Sequence, residues 1–216
     1  MSELDGAPVE PMEPVEPASA PRRSWWRTGV FEIIETLVLT VLIFLGIQTF
    51  VAQPYKVEQF SMENTLLPEQ FVLVDKLTPR WAPYKRGDVI VFNPPASWSR
   101  AGTVPFIKRV IGLPGDKVEL RDGKVYVNGK ELDEPYLFPG DGIAEPTDPS
   151  PDGAQSWALP LGSLFVMGDH RQASADSRAY GPIQTSDVIG RAWLRYWPID
   201  TFEVLPAPPY ATLQAP

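Results

Sequence analysis

The chain has no cysteine and a single histidine. The first absence excludes disulfides, thiolate metal sites and a thiol nucleophile, and it suits an extracytoplasmic domain, where free thiols oxidise. With one imidazole, metal ligation by a histidine pair is not available. His170 lies in the polar stretch Gly168-Asp169-His170-Arg171, which is expected to be a turn rather than a catalytic centre. Positive charge is also in short supply. A formal charge of −8 argues against nucleic acid as a partner, because phosphate backbones call for a basic footprint. What the chain has in abundance is proline (25 residues) and aromatics (11%), which favour an irregular, mostly β body over a helical bundle. There is no internal repeat.

Residues 1–20 contain Val-Glu-Pro-Met-Glu-Pro-Val-Glu-Pro, too acidic and too poor in large apolar groups to offset its ordering entropy. A disordered, extended tail is expected there. Arg22, Arg23 and Arg27 follow, with Trp25 and Trp26 among them, and then an apolar stretch without a polar stripe. Residues 36–52 alone reach roughly 26 Å as a helix, close to the thickness of a bilayer's hydrocarbon core. The stretch ends Phe50-Val51-Ala52, with a bulky residue where a cleavable leader would carry a small one, so an uncleaved anchor is expected. Three arginines before the helix, against Lys56 just after it, predict a cytoplasmic N-terminus. Three parts result: an acidic, proline-rich cytoplasmic tail over 1–28, a transmembrane helix over 29–52, and an extracytoplasmic domain over 53–216 in the cytoplasmic membrane.

Beyond the helix, short apolar runs are cut by Gly, Pro and Asp. Residues 71–74, 88–92, 107–111 and 163–167 read as strands. Residues 117–129 read as a hairpin turning at Asp122-Gly123, with Asn128-Gly129 starting another turn. Residues 137–158, rich in Pro, Gly and Asp, read as a mobile surface loop.

Two residues stand out chemically. Ser61 follows the helix closely, and Lys108 is embedded in Phe106, Ile107, Val110 and Ile111. A serine hydroxyl is a poor nucleophile until a base takes its proton. A lysine stripped of water loses its preference for the charged form and becomes such a base. On a strand Lys108 and Arg109 point to opposite faces, so one can be dry while the other is paired. A strand lysine taken alone is more often an edge residue whose ammonium reaches water than a catalyst. The segment 164–181 sets a strand against a dense polar turn, either a salt-bridged loop or a shell that orients the lysine amine.

Ser61-Met62 after an anchor helix, then Lys108-Arg109-Val110-Ile111-Gly112-Leu113-Pro114-Gly115-Asp116, then Gly-Asp-x-Arg-x-x-Ser-x-Asp-Ser-Arg-x-x-Gly over 168–181, resemble in order and spacing the type I signal peptidases. The hairpin leading to Leu132-Asp133-Glu134-Pro135-Tyr136 adds to the likeness, which covers roughly residues 30–200. The resemblance implies a signal-peptidase-like, β-rich catalytic domain with a β-hairpin insertion, preceded by one N-terminal transmembrane helix. It implies a membrane-anchored serine endopeptidase that removes signal peptides after Ala-x-Ala-type sites through a Ser–Lys dyad and an acyl-enzyme. No metal or cofactor is implied; the partners are preproteins with signal peptides and the lipid bilayer.

By the same resemblance Ser61 is the nucleophile and Lys108 the base. Ser174 positions the amine, and Asp169, Arg171, Asp176 and Arg178 brace the site, with Arg109 a structural partner of that acidic cluster. Met62 and Leu66, near the serine, join Tyr55, Val57, Phe106 and Ile107 as substrate-pocket residues, the last four walling two shallow pockets. The oxyanion site falls to the Ser61 N–H and Gln59, where the family carries Ser or Gly. Three further departures are Asn64 for the proline of Ser-Met-x-Pro-Thr-Leu, His170 for Asn in Gly-Asp-Asn-Arg, and Gln172-Ala173 for Asp-Asn. The departures at Gln59, Asn64, Gln172 and Ala173 motivate a rival reading, a non-catalytic anchored β-domain that binds export substrates or partners. A self-cleaving regulator with the same dyad is disfavoured, since an anchor rather than a DNA-binding helix pair precedes the domain.

Overall fold

In the computed structural model the described residues are 25–98, 104–205 and Tyr210. They fall into two compact units, Met1–Leu42 and Ile43–Pro216. The tail over 1–20, Arg22 and Arg23 lie outside the described residues. Helix α1 runs Trp25–Phe50, so it takes in residues 25–28, which the sequence placed in the tail. Within it Gly29–Phe50 has a mean hydropathy of 2.4 and is long and apolar enough to cross a membrane. Its first turn carries no acid and its last no base, so neither end gains from the helix dipole. Burial in an apolar medium is the stabilisation that its composition fits.

The second unit is mostly β. Its strands are β1 (Ala52–Lys56), β2 (Phe71–Asp75), β3 (Val89–Phe92), β4 (Phe106–Gly112), β5 (Lys117–Arg121), β6 (Lys124–Val127) and β7 (Lys130–Glu131). They continue with β8 (Pro139–Gly140), β9 (Ile143–Ala144), β10 (Ser156–Ala158), β11 (Ser163–Met167), β12 (Ile183–Gln184), β13 (Val188–Trp197) and β14 (Glu203–Val204). The large sheet runs β1-β2-β13-β3-β4-β11-β12, with β14 on β13. Pairing is antiparallel throughout.

The four expected strands are β2, β3, β4 and β11. Strands β3 and β11 are buried along their whole length, which is why they read as unbroken apolar runs rather than alternating ones. The hairpin β5–β6 turns where expected, with Asp122 and Gly123 at φ +51° and +74° and Asn128 and Gly129 at +51° and +79°. These left-handed pairs match the twist of the flanking strands. Val118, Leu120, Val125 and Val127 pack with Ile111, Phe165 and Met167, which seats the hairpin sheet on the ends of β4 and β11.

Two expectations need correction. Residues 137–158 are not a bare loop: they form the β8–β9 hairpin and then β10, which pairs with β5. Thr147 and Ser150 within them are buried. Strand β13, the longest in the sheet, has no counterpart among the strands read from the sequence. Its register slips between Val188 and Gly190, Ala192 and Leu194, and Arg195 and Trp197, so its apolar residues lose the two-residue period. Gly190 permits the close approach to β2, since a Cβ there would stand 2.4 Å from the Asp75 carbonyl oxygen.

Candidate active site

Ser61 sits in a 3-10 turn, Phe60–Met62, between β1 and β2. The chain enters extended at Gln59 (φ −119°, ψ 159°) and leaves through Asn64 at φ +81°. Met62 and Leu66, fully buried with Val57, Val72 and Val91, root this turn in the core. Ser61 itself is only 4% exposed.

Lys108 comes from β4, opposite Ile90 of β3, and is 1% exposed. Its Nζ lies 2.5 Å from Ser61 Oγ and 5.3 Å from the centre of the Phe106 ring. Burial pulls the Lys108 pKa down to about 8, against the attraction of Asp176 and Asp169 and with some help from Arg178. Desolvation wins because the carboxylates that would hold the proton are themselves committed to arginines.

Those commitments are specific. Arg109, on the other face of β4, grips Asp169 with two bonds, Nε to Oδ1 at 2.8 Å and Nη2 to Oδ2 at 2.6 Å. It also donates to the Gly87 carbonyl at 2.8 Å and lies over the Tyr136 ring at 3.9 Å. Thr65 closes the group by donating to Asp169 at 2.6 Å. Arg178 holds Asp176 through Nε at 2.9 Å and Nη2 at 3.0 Å, and donates to the Arg171 carbonyl at 2.7 Å. Asp176 is kept below the ordinary carboxylate range, despite burial, chiefly by Arg178, with help from Ser174 and the Gly168 N–H. Arg171 donates to Glu134 at 2.5 and 3.3 Å and to the Gly168 carbonyl at 2.9 Å.

Two expected site residues are placed differently. Ser174 Oγ is enclosed and stands close enough to Asp176 to influence it, yet has no hydrogen bond of good geometry, to Lys108 or to any other described residue. It is wedged against Gly168, where an added Cβ would stand 2.4 Å from both Ser174 Oγ and the Ser61 carbonyl oxygen. Leu66 lies in the core and not on a substrate wall. Tyr55, Val57, Gln59, Met62, Phe106 and Ile107 do line one groove with Ser61, of about 260 Å³. Gln59 is exposed in that groove, and its side chain makes no capping bond to the turn. A larger cavity of about 520 Å³, lined by Asp75, Asp88 and Arg191, contains neither Ser61 nor Lys108. The smaller groove is the one with a reactive group in it.

Glu134 and Thr65 are the polar residues that sequence reasoning missed. Glu134 had a signal: a buried arginine requires a buried acid, and Leu-Asp-Glu-Pro-Tyr supplied two. Thr65 had none.

The family model described as "Signal peptidase, peptidase S26" matches residues 30–197. A signal peptidase I of Leptolyngbya laminosa is 34% identical, over 97% of this chain and 99% of its own length. Signal peptidase IB of Staphylococcus aureus is also 34% identical, over 79% of this chain and 91% of its own. A solved signal peptidase I from Enterococcus faecalis V583 aligns at 31% identity with 51% of this chain and 97% of its own, TM-score 0.41. The protein is therefore a serine endopeptidase. More narrowly, the chain belongs to the signal peptidase I family, peptidase S26, and its substrates are preproteins carrying signal peptides.

Proposed function

We propose that the chain cleaves signal peptides through Ser61 as nucleophile and Lys108 as general base, anchored in the cytoplasmic membrane by α1. The observation that carries this reading is the 2.5 Å approach of a nearly dry amine, with a pKa of about 8, to the Ser61 hydroxyl. Neutral Lys108 Nζ takes the Ser61 proton while Oγ attacks the scissile carbonyl carbon. The resulting ammonium gives that proton to the departing amine nitrogen, leaving an ester on Ser61. The freed amine then deprotonates a water that hydrolyses the ester and restores the serine. Charge on the carbonyl oxygen falls to the Ser61 N–H, with the Gln59 amide as the second donor; one such donor contributes about 3–4 kcal/mol. The apolar walls of the groove suit small side chains, hence cleavage after Ala-x-Ala-type sites. Arginines before α1 set the N-terminus in the cytoplasm and residues 53–216 outside, as one extracytoplasmic peptidase domain.

Incubating the detergent-solubilised full chain with a preprotein tests this, with the new N-terminus read by mass spectrometry. Cleavage after a small residue is expected; tight binding with no cleavage would establish the non-catalytic domain instead. The rate should also report the amine. Because only the neutral form is a base, kcat/KM should fall about tenfold per pH unit below about 8 and level off above it. Initial rates on a cleavage-site peptide across that range check the slope, and a midpoint near an ordinary lysine's would contradict it.

A further inference from the structure

Most cations of the second unit are paired with a carboxylate. Lys108 apart, those of its described residues without such a partner are Lys76, Arg80, Lys85 and Lys130. The first three fall in one segment, 76–85, and the fold sets that segment at the end of α1. Ala52 pairs with Asp75 across β1 and β2, and the Lys76 N–H donates to the Val51 carbonyl at 2.9 Å. The Arg80 guanidinium stands 5.9 Å from the centre of the Phe50 ring. These cations lie too far along the chain to bear on the helix's orientation, yet strand pairing returns them to its exit. Trp81 beside them is 76% exposed, as an aromatic ring at a membrane–water interface would be. Lys76 and Arg80 line a groove of about 560 Å³, with the hydroxyl residues Tyr84, Thr185 and Ser186. No carboxylate is among its described lining residues, whereas Asp75 and Asp88 line the cavity around Arg191. Those two acids are already engaged. Asp75 accepts from the Leu77 and Thr78 N–H groups, Asp88 accepts from that of Lys85, and both face Arg191. Burial pushes the Tyr84 phenol up to about 12, so it keeps its proton and remains a donor.

We infer that the groove between Lys76 and Arg80 binds the phosphate of an anionic phospholipid in the extracytoplasmic leaflet. A site so placed depends on α1 being the membrane anchor proposed above. A phosphate diester brings one negative charge and only acceptor oxygens, which suits walls of cations and hydroxyl donors without an acid. The Arg80 fork meets two oxygens side by side, while Lys76 supplies a point charge and spends one donor on Gln53 at 3.3 Å. Pro79, Pro83 and Ile189 give the groove an apolar wall against which the glycerol and first methylenes can lie. A zwitterionic headgroup has the same phosphate but would add a cation beside Lys76, Arg80 and the exposed Lys85, so the anionic lipid is favoured. The chain as a whole carries −8 and is repelled by a negative surface. Its unpaired cations at 76–85 are the part that such a surface attracts. The domain thereby gains a second attachment beside the helix, which limits its rotation about the membrane normal.

The test uses the full chain in nanodiscs of phosphatidylcholine and phosphatidylglycerol in equal parts, with retained lipids counted by native mass spectrometry after release. The parent should keep phosphatidylglycerol in preference to phosphatidylcholine. Arg80→Gln should weaken one retained phosphatidylglycerol about fivefold, the effect of one cation at an anionic surface. Lys76→Gln combined with Arg80→Gln should retain one fewer than the parent. Lys130→Gln removes the same charge from the hairpin sheet and should leave the count unchanged. Arg22, Arg23 and Arg27 are present in every variant, so lipid held before α1 cancels in the comparison. Equal retention of the two lipids by the parent, an unchanged count in the double variant, or an equal loss in Lys130→Gln overturns the site. Displacement of the lipid by soluble glycerophosphate at equal concentration would likewise overturn it, in favour of a free phosphate ester. The anchor is judged separately, by whether the chain enters the nanodiscs. A chain that stays outside them refutes the anchor and the site together, while an incorporated chain with an unchanged count refutes the site alone.

Discussion

Lys108→Met should reduce kcat/KM by roughly a hundredfold to ten-thousandfold, the range for losing a general base, while making the protein more stable. Ser61→Ala should bring turnover to background by removing the attacking oxygen. The gain in stability comes from the sign of the lysine's shift. Its pKa falls from 10.5 to about 8 on folding, so the native state binds the proton less tightly than the unfolded chain. The cost is present in full below about 8 and is gone above 10.5. At about 1.4 kcal/mol per unit it amounts to about 3 kcal/mol near neutral pH. Methionine fills similar space without a charge to desolvate, so thermal unfolding at neutral pH should shift upward and the shift should shrink as pH rises. An inactive variant with a raised Tm cannot be dismissed as misfolded. Near-normal processing by either variant would sink the dyad.

Asp169→Asn is expected to act in the opposite sense, destabilising by about 3–5 kcal/mol, the cost of leaving a buried charge without its partner. Arg109 is fully enclosed, and Asp169 supplies both of its bidentate contacts as well as the acceptor for Thr65. Arg109→Met strands the carboxylate instead and should cost a similar amount. The double variant should recover much of either loss, since neither charge is then left alone. Urea unfolding of the three proteins measures that coupling. Additive losses would mean that the pair contributes only its separate packing.

The contrast between Lys108 and Arg109 marks how far the sequence could be read. Both lie in one apolar run, and the two-residue period of a strand was enough to send them to opposite faces. Apolar continuity located β3, β4 and β11, and Asp-Gly located the β5–β6 hairpin. Neither signal reaches β13, where bulges scramble the period, or the β8–β9 hairpin, where proline and glycine mimic an unstructured loop. Thr65 was out of reach for a different reason. Its importance comes from a contact across 44 positions of chain, with Arg109, which no local pattern encodes. Ser174 shows the limit from the other side: its motif is intact, but its hydroxyl is enclosed beside Gly168 and makes no bond to the amine.

The mirror-image backbone at Asn64 has a practical bearing on protein engineering. Stabilisation campaigns commonly write in whichever amino acid predominates among homologues, and here that rule would install proline. Rigidifying the unfolded chain helps only when the native dihedral suits the ring. Asn64→Pro should therefore lower Tm rather than raise it. Any lineage drifting between the two residues must reshape the whole bend at once, which makes this position a poor candidate for single-site consensus repair.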